Sequence, residues 1–185
     1  TFTRVNYPYA INTNYVTVGD IRGGGLRDIV ATTGNSVAVI KNLGSRTYAA
    51  PVLYAACQNG NDSTLGDFDE NGSLDIATVG SVHDDLAVLL NNGDGTFGAP
   101  TLQEIPGNVG GYAVGVSLLD LDSDGHIDIA CGQEDGQNTA WSSVFTGDGH
   151  GNFTKGTAFA CGGGTLYSVD LNNDGLLDLV NSDHW

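Results

Sequence analysis

Four related stretches, spaced about fifty residues apart, dictate how this chain is built. Three of them read DFDENGSLD (Asp67 to Asp75), DLDSDGHID (Asp120 to Asp128) and DLNNDGLLD (Asp170 to Asp178). A weaker copy, DIRGGGLRD (Asp20 to Asp28), precedes them. The opening acids are separated by 47, 53 and 50 residues. Each full copy sets oxygen-bearing side chains at its first, third, fifth and ninth positions and glycine at its sixth. Side chains at alternate positions of a tight loop converge on one centre, and the glycine permits the sharp turn. A period near fifty falls among propellers and other repeat arrays.

A second marker keeps the same beat. Phe2, Tyr48, Phe97 and Phe153 recur, the last three in RTY, GDGTF and GHGNF. Between the markers lie short apolar, β-branched runs punctuated by Gly, Asn and Asp, which are strand and hairpin signals. In the second unit these runs predict strands over Ser63–Gly66, Asp75–Val79, Leu86–Leu90 and Phe97–Leu102. In the third they predict Gly115–Leu119, Asp128–Ala130, Trp141–Phe145 and Phe153–Ala160. Helical periodicity is absent. Four antiparallel strands per fifty residues describe a propeller blade, so the fold class is all-β.

The donor set of the loops is all oxygen, which suits a hard divalent cation, calcium above all. The first full loop offers Asp67, Asp69, Asn71 and Asp75 with the Ser73 carbonyl. The second offers Asp120, Asp122, Asp124 and Asp128 with the His126 carbonyl, and the third Asp170, Asn172, Asp174 and Asp178 with the Leu176 carbonyl. About three calcium sites are therefore expected. The Asp120 loop, with four carboxylates against three in each of the others, is expected to bind tightest. In the weak copy Arg22 and Gly24 replace two ligands, so no ion is expected there; Arg22 or Arg27 pairs with its acids instead. An EF-hand needs a bidentate Glu at position twelve and flanking helices. Thr78, Cys131 and Asn181 stand there, which excludes it. Asx-rich turns capping hairpins without metal are the plain alternative, but clustered carboxylates without a cation repel one another.

The loop pattern, followed one hairpin later by N-x-G-D-G-x-F (Asn91 to Phe97), resembles the FG-GAP or VCBS repeats. Such repeats build the propellers of integrin α-subunits, of many bacterial surface proteins and of some fungal lectins. The resemblance runs along nearly the whole chain. It implies that each acid loop joins the first and second strands of a blade. It also implies a non-catalytic recognition or adhesion module, secreted or at a cell surface, with a protein or carbohydrate ligand held in loops that join blades.

On that frame residues 1–185 form a single repeat domain with units at about 1–48, 49–97, 98–153 and 154–185, the last partial. Thr1–Asn6 aligns with a fourth strand and Asp178–Asn181 with a second, giving three full blades and a split or incomplete fourth. Three arrangements are open: a compact four-bladed ring, part of a longer propeller, or copies joined through their edge strands. The last makes the alternative function a structural subunit of an extracellular filament or larger surface protein. Second and fourth strands of a blade end on one side, which favours a Cys131–Cys161 bridge and leaves Cys57 free or paired between chains.

Charge and motif content exclude other classes. Six basic residues against 22 acidic ones give a net charge of −16, unsuited to nucleic acid or an anionic membrane. No apolar run is long enough for a membrane-spanning helix. His83, His126, His150 and His184 share no spacing, and neither a nucleophile elbow nor a phosphate loop is present, so no enzyme is expected. Asn61, Asn71 and Asn152 stand in glycosylation sequons, a weak sign of secretion.

Overall fold

The computed structural model describes residues 12–83, 85–106, 112–134, 140–160 and 165–181. Among them the chain is all strand, with no helix. The first sheet holds β1 (Tyr15–Gly19), β2 (Asp28–Thr33) and β3 (Ser36–Ile40); a small hairpin of β4 (Asn42–Gly44) and β5 (Thr47–Tyr48) follows, and β6 (Val52–Ala55) completes the sheet. The second is β7 (Gly60–Gly66), β8 (Asp75–Gly80), β9 (Asp85–Leu89) and β10 (Thr101–Glu104). The third is β11 (Tyr112–Leu119), β12 (Asp128–Glu134), β13 (Ala140–Gly147) and β14 (Phe153–Ala160). A two-stranded sheet of β15 (Leu166–Val169) and β16 (Asp178–Asn181) comes last. Every pairing is antiparallel and the strands of each sheet follow one another in chain order, the β4–β5 hairpin looping out between β3 and β6, so each sheet is a meander.

Each acid loop joins a first strand to a second. Its ninth-position aspartate opens the second strand, pairing with the last residue of the first: Asp28 with Gly19, Asp75 with Gly66, Asp128 with Leu119, Asp178 with Val169. One expected strand is shifted. Phe97 does not open the fourth strand of its sheet but makes an isolated bridge to Asn91, and β10 starts at Thr101. The reason lies in the phenyl ring, which is 7% exposed and turned into the core beside Tyr54. The expected strand at Thr1–Asn6, the marker Phe2, and Cys161, His184 and Trp185 lie outside the described residues. Cys57 and Cys131 are buried free thiols.

The sheets pack face to face, and strand alternation explains how one sheet serves two neighbours. Ile76, Ala87 and Leu89 of the second sheet meet Val30, Val37 and Val39 of the first. Their alternates Ala77, Val79, Leu86 and Val88 meet Ile129, Cys131 and Phe145 of the third. Ala130 and Val144, from the other face of that sheet, meet Leu166 of the last. A strand covered on both faces has no polar side to show, so β8 is buried along its whole length.

Side chains also tie neighbouring sheets. Asn91, at the end of the third strand of its sheet, donates through Nδ2 to the Ile21 carbonyl in the preceding acid loop (2.7 Å). The Gly151 N–H reaches back to the Phe68 carbonyl in the same way (2.9 Å). The aromatic markers follow suit: Phe97 meets Tyr54 and Phe153 meets Phe68, each edge to face with centroids 5.3 and 5.5 Å apart. The first strands lie innermost, with β1 against β7, β7 against β11 and β11 against β15. Together they line one groove of about 290 Å³.

Candidate metal centres

The four acid loops share one backbone path. Their sixth residues are left-handed glycines: Gly25, Gly72, Gly125 and Gly175, with φ of 78°, 87°, 91° and 90°. Fourth residues are left-handed as well, at Gly23, Glu70, Ser123 and Asn173. Two successive excursions of this kind fold nine residues back on themselves and aim amide groups inward.

Those amides hold the carboxylates in place. The opening aspartate accepts the N–H of the sixth residue: Gly72 to Asp67 (2.9 Å), Gly125 to Asp120 (3.0 Å), Gly175 to Asp170 (3.0 Å). The ninth accepts the N–H of the second: Phe68 to Asp75 (2.8 Å), Leu121 to Asp128 (2.7 Å), Leu171 to Asp178 (2.9 Å). A further N–H from the end of the third strand fixes its other oxygen, Asn91 on Asp75 (2.7 Å) and Gly147 on Asp128 (2.9 Å). Ser73 N–H binds Asn71 Oδ1, and the equivalent His126 and Leu176 amides bind Asp124 and Asp174.

Asp67, Asp69 and Asp75 bring carboxylate oxygens within 4.8 Å of one another, as do Asp120, Asp122 and Asp124. Asn71 lies in the first group, its Nδ2 donating to Asp69 (2.9 Å), while Asp128 stands outside the second. In the last loop Asp170, Asp174 and Asp178 form no such group, though Asn172 and Asp174 are hydrogen-bonded (2.9 Å). Its ninth aspartate is only half-buried, where Asp75 and Asp128 are fully so. No third strand clamps it among the described residues. Ser73, His126 and Leu176, whose carbonyls complete the expected ligand sets, each follow the sixth glycine directly.

The electrostatics describe loops that want a cation. Burial pushes Asp75 up to about 6 against two N–H donors that favour its charge, and it raises Asp128 in the same way. Asp120 and Asp170 each bury an Oδ1 with no hydrogen-bond partner. An orphaned buried oxygen in an all-oxygen cluster fits a hard divalent ion.

The first loop resolves the same problem internally. The Arg22 guanidinium makes two bonds to Asp28, Nε to Oδ2 (3.0 Å) and a terminal nitrogen to Oδ1 (2.7 Å). It also donates to the Asn42 carbonyl. Arg22, not Arg27, is thus the partner of the two candidates. Asp20 accepts the amides of Gly24 and Gly25.

Several structural residues gave no sequence signal. Asp62 reads as the middle of a sequon, yet it is buried in β7 and accepts the N–H of Val116 across to β11 (3.1 Å). Asn61, in the same sequon, donates to the Ala113 carbonyl (2.7 Å). Glu70 and His126 join two acid loops through Oε1 and Nδ1, 2.5 Å apart. At the opposite end of the sheets Gln133 is fully buried with neither amide atom hydrogen-bonded, directly opposite Trp141 on β13. Tyr112 and Glu134 are hydrogen-bonded beside it.

Known proteins place this architecture. A model of the FG-GAP-like repeat matches residues 67–131 and again 120–180. No curated protein matches the sequence at a significant level. Among solved structures, an Agrocybe aegerita lectin described for its specific recognition of non-reducing terminal N-acetylglucosamine is similar, with a TM-score of 0.58 and 22% identity. The match covers 91% of this chain and 47% of the lectin, so the chain spans about half the length of that relative. With the two repeat matches together running over more than half of its residues, the chain belongs to the FG-GAP-like repeat family.

Proposed function

We propose that this chain is a calcium-stabilised, non-catalytic recognition module of extracellular type, built as propeller blades, with a glycan or protein ligand. The orphaned Oδ1 of Asp120, buried at the focus of a carboxylate cluster, is the observation that carries the calcium reading. Asp67, Asp69, Asn71 and Asp75 would hold one ion and Asp120, Asp122, Asp124 and Asp128 a second. Asp170, Asn172, Asp174 and Asp178 would hold a third, more weakly. Bound calcium would neutralise the clusters and pin each loop between its strands; it is structural. Recognition then falls to the opposite end of the sheets, where the half-buried Trp141 ring stands across from the buried, unpaired amide of Gln133. The lectin's fold favours a glycan.

The experiment is a glycan array followed by calorimetry with N-acetylglucosamine, in calcium and in chelator. The reading expects saturable binding that is lost on chelation and weakened at least tenfold by Trp141→Ala, about 1.4 kcal/mol. Binding that survives both changes would contradict it.

A second reading, a structural unit that self-assembles through its incomplete sheet, is favoured by the exposed Tyr167 and Val169 of β15 and Val16 and Val18 of β1. Calcium-dependent self-association without any ligand hit would decide for it.

A further inference from the structure

The groove between the innermost strands is a different place from both the acid loops and the Gln133 end, and its chemistry is one-sided. Asp62 lines it from β7, Tyr15 from β1 and Tyr167 from β15. Ser117 of β11 closes another part of the wall, donating through Oγ to Ser168 Oγ of β15 (3.1 Å). Ser63 adds a buried hydroxyl with no hydrogen-bond partner. No lysine, arginine or histidine is among the lining residues. The Asp62 carboxylate is 5% exposed and carries two N–H donors, Ser63 (2.7 Å) and Val116 (3.1 Å), but no ion-pair partner among the described residues.

The neighbouring groups register that charge. Tyr15, Asp62 and Tyr167 all line the groove, and the Tyr15 phenol is held above its usual range first by Asp62, then by burial, then by Tyr167. Both rings are accessible, Tyr15 at 43% and Tyr167 at 57%. A carboxylate without a counter-ion, flanked by two aromatic rings and hydroxyl oxygens, matches a cation with apolar substituents better than a neutral or anionic guest. At about 290 Å³ the space is at the small end of ligand pockets.

We propose that the axial groove binds a small organic ammonium ion, with Asp62 as counter-ion and the Tyr15 and Tyr167 rings as walls. This site is independent of the glycan reading and stands or falls separately from it.

Choline and its uncharged analogue 3,3-dimethylbutan-1-ol serve as probes, titrated calorimetrically into the calcium-loaded chain. The expected result is saturable binding of choline and binding of the alcohol weaker by about tenfold or more, the scale of a desolvated cation–aromatic contact. Tyr167→Ala, on an exposed ring, should weaken choline about fivefold or more with the melting temperature unchanged. Asp62→Asn should abolish the preference for the charged probe; should that variant not fold, the Tyr167 variant and the neutral analogue still decide. No saturable choline binding, equal binding of the two probes, or full binding by Tyr167→Ala would each overturn the proposal.

Discussion

Arg22 does with the chain's own guanidinium what a bound cation is proposed to do in the later loops. Its guanidinium grips Asp28, which is fully buried, in a two-bond geometry that an ammonium could not reproduce. Arg22→Ala should therefore destabilise the chain by about 2–4 kcal/mol in urea unfolding, because it leaves an unpaired buried charge. Adding Asp28→Asn should recover part of that loss. If the single variant unfolds at the wild-type midpoint, the pairing is ornamental. Asp62 makes a second residue-scale test. Burial raises its native pKa above the unfolded value near 3.8, so the native state holds this proton more tightly than the unfolded chain. Its contribution to stability is thus greatest at low pH and declines as pH rises from about 3.8 through the native value. The difference in unfolding free energy between wild type and Asp62→Asn should shift against the wild type across that window, and a flat difference would refute the assignment.

At the scale of elements, legibility follows sequence distance. The acid loops are nine-residue devices whose internal hydrogen bonds span two to seven positions, as between Ser73 and Asn71 or Phe68 and Asp75, so their residue types announce them. The strands are legible through alternation, and β16 falls where the pattern put it. Ties between sheets are not. Asn91 opens a recognisable motif, but nothing local reports that it bonds Ile21 across 70 positions, or that Asp62 bonds Val116 across 54. The same blindness moved the start of β10: Phe97 obeys the neighbouring sheet, not its own strand. Its ring fills a buried slot against Tyr54, so Phe97→Ala should cost about 3–5 kcal/mol by chemical denaturation. A loss below about 1 kcal/mol would mean that the marker is not a packing key. The last loop's acids converge less than the sequence suggests, and its ninth aspartate is half-buried and lacks, among the described residues, the third-strand N–H that holds Asp75 and Asp128.

At the scale of the whole molecule, four meanders packed face to face place every acid loop at one end and the Gln133 region at the other. Among the described residues their first strands line a groove of about 290 Å³. On the proposed reading, ions would stabilise one end and leave the other to the ligand. Each occupied site should stabilise the fold by about 2.7 kcal/mol at a hundredfold excess of calcium over its Kd. Chelation should accordingly lower the melting temperature in a calcium-dependent way, while magnesium, which demands a tighter octahedral shell, restores less. Calcium binding by the acid loops is tested by calorimetric titration of calcium into the chelator-stripped chain and into Asp122→Ala. About three sites are expected, with the variant losing the tightest and keeping the others. No calcium uptake, or an unchanged set of sites in the variant, would contradict the calcium reading.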